Sequence, residues 1–348
     1  MILMGLRSYI ATRILLTIPT LLLLLSAVFI IMRVLPGDPV SLHFEKKADP
    51  ELMDAMRHTL GLDKPLWQQY IDYIGGLIDV GYLLKNGYPN LGKSMQTFEE
   101  VGGQIFSAFP ATLELAIYSM IIACILGILL GVVASKSYNS ILDHLIRGFG
   151  TITYAIPVFF LGIIFQLIFG VYLGWLPTGL RISPNVEPPA TITGLYTIDS
   201  LLEGNLFKFA ESLKALLLPS LTLGIILSGM FVRLTRTNML ETFRSDFVTA
   251  ARARGLKERT VTLGYVLRNA FLPILTMMGL QFAMLLGGAI LTETTFSWPG
   301  LGRYIVNRIS FRDYTAIQGA VVVFGLFVTI VSLVVDILYA YLDPRIRL

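Results

Sequence analysis

The sequence predicts an all-α polytopic membrane protein with six transmembrane helices and a small polar lobe after the first of them. Three observations carry this. Of the 348 residues, 55% are hydrophobic and only 14% charged, with a mean hydropathy of +0.71, whereas soluble domains carry about 25% charged residues. The apolar residues gather in runs long enough to cross roughly 30 Å of hydrocarbon. The basic residues fall mainly beside those runs, so membrane topology explains the net charge of +4 more simply than nucleic-acid binding does.

Residues 1–33 form the amino-terminal segment and the first span. The run Tyr9 to Met32, with Arg7 before it and Arg13 near its start, is longer than the core of a cleaved signal peptide and lacks a small-residue cleavage site. Pro19 is expected to kink it, with neighbouring helices satisfying the freed carbonyl.

Residues 34–108 turn polar and read as an extracellular lobe. Leu35-Pro36-Gly37-Asp38-Pro39 is a rigid turn. Asp49 as N-cap and Pro50 open a helix that Gly61 closes; Asp63 and Pro65 open another, with Leu66, Tyr70 and Ile74 on one face, ending at Gly75-Gly76. The stretch GYPNLGKS, 87–94, matches the phosphate-loop pattern, with Lys93 and Ser94 in the phosphate and magnesium positions. A true phosphate loop follows a buried strand, and GYLLKN is a weak strand candidate, so an ordinary loop is expected.

Residues 109–348 supply five further spans. Helix two, Pro110 to Ser135, carries Glu114 near its outer end, Cys124 as a small core residue, and Gly127 and Gly131 as a small-xxx-small pair for close packing. After a short loop, Lys136 to Arg147, helix three runs from about Gly148 to Gly174 with a kink at Pro157. The outer segment Trp175 to Lys214 is irregular. Helices four, five and six span about Ala215–Val232, Ile274–Leu291 and Ile317–Tyr341, with Gly224, Gly229, Gly279, Gly287 and Gly288 marking close approaches. Asp336 lies towards the end of helix six, where a hydrogen bond to a neighbouring helix is expected rather than a proton relay, which would sit near the midplane. One cysteine and three scattered histidines (His43, His58, His144) offer no disulfide and no metal cluster.

The apolar pattern breaks at Ser245 to Pro273, SDFVTAARARGLKERTVTLGYVLRNAFLP. Asp246 is a good N-cap, Phe247, Ala250, Ala251 and Arg254 follow at helical spacing, and Gly255 stands where a left-handed residue stops a helix. A short helix with an apolar face (Phe247, Ala250, Ala251) beside a basic one (Arg252, Arg254) is a docking element. Val261 to Leu272 reads as a second amphipathic stretch, with Leu263, Val266, Leu267 and Phe271 on one side. Segments on the amino-terminal side of the membrane hold 14 of the 27 Lys and Arg residues, so that side, with both termini, is expected to be cytoplasmic.

The last outer connection, Glu293 to Gly319, contains Trp298 as an expected interfacial anchor, a tight turn at Pro299-Gly300, and RYIVNRI as a short surface or re-entrant helix.

The order Ala250, Ala251, three residues, Gly255 and later Leu272-Pro273 resembles the cytoplasmic coupling loop, or EAA loop, of permease subunits of ABC importers. LPGDP, GLDKP, WQQY, WLPTG, Glu293, Phe296, Trp298-Pro299-Gly300-Leu301-Gly302 and Arg312-Asp313-Tyr314 resemble the dipeptide, oligopeptide and nickel branch. Thr249 replaces the motif's acidic residue, and Tyr265 stands where many relatives have histidine. The resemblance implies the type I ABC importer permease fold, with Asp246, Phe247, Ala250, Ala251, Arg254 and Gly255 at the ATPase-coupling interface. It implies four partner chains: a homologous second permease, two cytoplasmic ATPases that use ATP and magnesium, and an external substrate-binding protein. It also implies a cell-membrane location, import of di- or oligopeptides or related solutes such as nickel, glutathione or oligosaccharides, and no catalytic residues or cofactor in this chain. The competing reading is a self-sufficient secondary carrier or channel. Against it stand the lack of a detectable inverted repeat, scarce midplane charge and the large basic loop.

Overall fold

A computed structural model describes residues 6–33, 40–41, 49–287 and 289–342; the turn at 35–39 and Gly288 lie outside the described residues. The first helix, α1 (Leu6–Arg33), continues through Pro19. The lobe follows as α2 (Pro50–Thr59), α3 (Leu66–Ile78) and α4 (Val80–Asn86). Asp49 caps α2 through its carboxylate to the Glu51 N–H, Pro50 occupies the first turn, and Gly61 adopts φ +65°, as the residue types require. Helix α3 starts after Pro65, with no cap from Asp63, and runs through Gly75-Gly76 to Ile78.

Helix α5 (Val101–Lys136) begins several residues before the expected lobe boundary and carries Pro110 inside it. Helix α9 (Leu206–Phe243) extends well beyond its apolar run at both ends, because intrahelical hydrogen bonds continue where the sequence turns polar. Between them, α6 (Ile141–Ala155), α7 (Val158–Phe165) with its π-helical continuation Gln166–Tyr172, and α8 (Tyr196–Leu202) complete this part of the chain. The expected kink at Pro157 is a break: Ile141–Ala155 and Val158–Tyr172 meet at 101°. A residue before proline is pushed out of the helical region, and Ile156 is extended at φ −77°, ψ 127°.

The short helix α10 (Asp246–Ala253) leads to α11, a continuous run from Glu258 to Leu286 with π-helical turns over Val261–Leu267. Helix five is therefore not a segment beginning near Pro273 and ending at Leu291; Leu291 belongs to a separate helix, α12 (Ile290–Thr295). Last come α13 (Leu301–Ser310) and α14 (Tyr314–Leu342). Among the described residues five helices are long and apolar enough to cross a membrane, and six if the bent pair counts as one span.

The core is the contact of α5 with α9. Gly127 and Gly131 make it possible: a Cβ on Gly127 would lie 2.3 Å from the Phe231 Cβ, and one on Gly131 2.5 Å from the Thr235 Cβ. Lipid offers little hydrophobic drive between helices, so such close backbone packing holds the pair together. Ile274, Leu285 and Leu286 of α11 and Trp298 complete this cluster with Leu115, Leu216 and Phe231. Helix α1 lies at the edge, packed on α14 through Leu25, Val28 and Val322; Arg13 pairs with Asp336 at 3.3 Å, so that acid has a neighbouring-helix partner.

Candidate functional site

The basic interruption sits at one end of the bundle, beside the ends of α5 and α9. Ser245, extended at ψ 146°, is the N-cap of α10, and Asp246 is its first helical residue rather than its cap. Its carboxylate still lies favourably at the positive end of the helix. Arg254 closes the helix, and Gly255 turns the chain at φ +73° with open space around its missing side chain. Glycine is needed there for its backbone conformation alone.

The helix has two faces. Val248 and Ala251 are buried against Met239 of α9 and Val261, Val266 and Ala270 of α11. Asp246, Phe247, Ala250, Arg254 and Gly255 are exposed. Five of the six residues singled out in the sequence thus share the open side, whereas Ala251 is part of the root. Val248, which the sequence reading passed over, is the other anchor; its position three residues before Ala251 is the signal that could have found it. The second amphipathic stretch is rotated from expectation: Val261, Thr262, Val266 and Ala270 face inward, and Leu263 is exposed. Arg252 pairs with Glu258 at 2.7 Å across the turn, an exposed contact of small energetic weight.

A part-buried ion pair braces this end. The guanidinium of Arg236 donates from Nε and Nη2 to both oxygens of Asp143, at 2.6 and 2.7 Å, and Asp143 is fully buried. The pair joins the start of α6 to the part of α9 that runs into α10. Its partners are 93 residues apart, and no local pattern announces it.

The opposite end, where the lobe lies, is closed by carboxylates. Glu114 of α5 accepts from Arg181 Nη2 at 2.6 Å and from the Thr197 N–H and hydroxyl at 2.8 and 2.7 Å, with the Arg181 guanidinium 3.7 Å above the Tyr196 ring. The irregular stretch after Trp175 is thereby pinned over α5. Glu293 is fully buried and accepts from the Thr112 hydroxyl at 2.8 Å and the Arg303 N–H at 2.9 Å. A Cβ on Gly300 would lie 2.5 Å from the Glu293 carboxyl carbon, and Gly300 itself is extended, so glycine serves close approach there rather than a turn.

Trp298 is a core residue at 1% exposure, not an interfacial anchor: its indole N–H donates to the Ala111 carbonyl at 2.8 Å. Asp313 accepts from the Ser94 hydroxyl at 2.5 Å and the Met95 N–H at 3.1 Å. Ser94 is therefore a lobe-fastening residue, and the stretch 87–94 follows helix α4 instead of a strand, which removes the phosphate-loop reading. Among the described residues no group of three His, Cys, Asp or Glu side chains converges as a metal site.

Comparison with known proteins bears on both ends at once. Residues 127–348 match the model of the binding-protein-dependent transport system inner membrane component family, and residues 6–116 match that family's amino-terminal component. The chain belongs to this family. It is a permease subunit of an ABC importer, and a multi-pass membrane protein. The permease is 41% identical over 98% of both chains to a di/tripeptide transport system permease protein of Pseudomonas aeruginosa. It is 38% identical over 98% of both to a dipeptide transport system permease protein of Escherichia coli, and 37% identical over 98% of this chain and 99% of the other to an E. coli glutathione transport system permease protein. A solved structure of the MetNI methionine ABC transporter in an inward-facing conformation shares its fold at TM-score 0.52 and 15% identity, covering 69% of this chain and 97% of that one.

Proposed function

We propose that the permease forms half of the transmembrane path for di- or oligopeptides, pairing with a homologous second permease, two ATPase subunits and an external substrate-binding protein. The end bearing α10 is cytoplasmic, with both termini, and the lobe faces outward. ATP and magnesium act in the ATPase chains; this chain catalyses nothing. The observation that carries the reading is the two-faced α10. Its open side offers Asp246, Phe247, Ala250, Arg254 and Gly255 to a partner, while Val248 and Ala251 root it in α9 and α11.

A docked ATPase that moves α10 therefore moves two spans together. Coupling is a population shift: closure of the ATPase dimer favours the outward-open arrangement through contacts at α10 that differ between the two states. The peptide substrate rests on the names of the relatives, since selectivity in such systems lies largely in the binding protein.

The test is purification of the tagged chain in mild detergent, with co-purifying chains identified and ATPase activity assayed. A second permease and ATPase chains are expected, with peptide uptake after reconstitution together with the binding protein. A chain that purifies alone, lacks ATPase activity and moves solute down an imposed ion gradient would overturn the reading in favour of a secondary carrier.

A further inference from the structure

The lobe has a face that does not suit water. Leu66, Trp67, Ile71 and Ile78 of α3, with Val80 and Leu84 of α4, are 49–81% exposed, and the only charged residue in α3, Asp72, is paired with Lys64. The other side of α3 is tied to α1. Tyr70 Oη meets Ser26 Oγ at 2.7 Å, the Phe29 ring lies 5.2 Å from the Tyr70 ring and 5.7 Å from the Tyr73 ring, and Arg33 donates to Gln69 at 3.1 Å.

Depth follows from these contacts. Ser26 and Arg33 are separated by roughly 10 Å along a helix rising 1.5 Å per residue, and both belong to the apolar run Ala11–Arg33. Helix α3 therefore lies alongside the last two turns of a membrane span. Helix α1 is peripheral and its own flank, at Leu22, Leu23, Ile30 and Ile31, is exposed. Both neighbouring helices thus leave large apolar side chains uncovered at this level.

We propose that α3 and α4 lie in the lipid headgroup layer at the lobe end, with this apolar face against lipid and Trp67 at the boundary between acyl chains and water. Interfacial helices sink an apolar face about 5–10 Å into that layer, and tryptophan concentrates there. A permanent lipid contact suits the face better than a docked soluble protein, which would leave it in water between visits. The lobe is then divided: α2 and the 87–100 loop stand in solvent, and α3 and α4 form a collar on the membrane. The proposal rests on the multi-pass membrane reading.

The test uses the assembled transporter in lipid nanodiscs, with Cys124→Ser as background and a nitroxide label at Trp67→Cys, Ile71→Cys or Ile78→Cys. Leu23→Cys in α1 serves as the lipid control and Asp63→Cys as the solvent control. Collision with oxygen is expected to exceed collision with a water-soluble nickel chelate at all three lobe positions, as at Leu23. Nickel-chelate collision equal to that at Asp63 would overturn the proposal, as would shielding from both reagents that disappears when the permease is isolated. Nickel access at Leu23 would instead strike the membrane reading itself.

Discussion

Glu114 and Arg181, 67 residues apart, form a buried ion pair at 2.6 Å, with side-chain exposures of 2% and 7%. Removing one partner strands a buried charge, at a cost of about 3–5 kcal/mol, whereas replacing both by apolar residues of similar volume is far gentler. Arg181→Ala should lower the unfolding temperature in detergent markedly. Glu114→Leu with Arg181→Met should recover much of the loss, and equal melting of the single and double variants would contradict the pairing.

Gly127 leaves no room for a side chain against α9. Gly127→Val should cost at least the 1–3 kcal/mol typical of overpacking, seen as early thermal unfolding, while a valine at Gly148, which has no neighbour within 4 Å of a Cβ, should spare the α5–α9 contact. Melting curves of the two variants give the comparison directly.

In α10 and the turn after it, two substitutions should separate ATP hydrolysis from uptake without blocking insertion. Gly255→Leu forces a branched side chain into a left-handed conformation at φ +73°, costing about 1–2 kcal/mol locally; Gly255→Asn, which tolerates that conformation, should keep more transport. Ala251→Arg drives a charge into the cluster with Val248 and Met239. Normal solute uptake in both the leucine and arginine variants would remove the proposed coupling role from α10.

Asp199 gives the segment after Trp175 a pH dependence. Burial by itself would raise its carboxyl, but the Thr193 hydroxyl and the N–H groups of Thr193, Ile192 and Gly194 outweigh it and hold the group below its ordinary value. A depressed folded-state value means stability is complete above the unfolded value of about 3.9 and is lost as pH falls through the lower folded one. The native chain should melt at lower temperature as pH falls below about 4, and Asp199→Asn should flatten that fall.

Lys93 is exposed and its neighbour Ser94 is held by Asp313. Lys93→Ala should leave ATP binding by the assembled complex unchanged. Loss of nucleotide binding would restore the phosphate-loop reading.

What the sequence made legible was local. Composition and apolar run length gave the spans, Asp49-Pro50 and Gly255 gave helix ends, and the spacing of Gly127 and Gly131 gave the close contact of α5 with α9. Run length marks the hydrocarbon, however, and not the helix, so α9 outruns its apolar stretch at both ends. The ion pairs of Glu114 with Arg181 and Asp143 with Arg236 were not legible, because each joins residues far apart in the chain and either member alone resembles an ordinary charge of a span end or loop. Trp298 misled for a related reason. An aromatic residue beside Pro-Gly at a span end fits the membrane interface, and only the hydrogen bond to Ala111 and the packing on α5 bring it inside. In α10 the sequence pointed to a short two-sided helix but not to its division into an open face and a root, because Val248 looks no different from its neighbours until α9 and α11 are placed around it.

Trp298 has an optical consequence. It is enclosed and hydrogen-bonded, while Trp67 and Trp175 are each 66% exposed, and the chain has three tryptophans in all. Replacing the two exposed indoles by phenylalanine leaves a single blue-shifted emitter seated between α5 and the turn that leads into α13. Its emission wavelength then reports, without any attached dye, whether that seam opens to water as the transporter turns over.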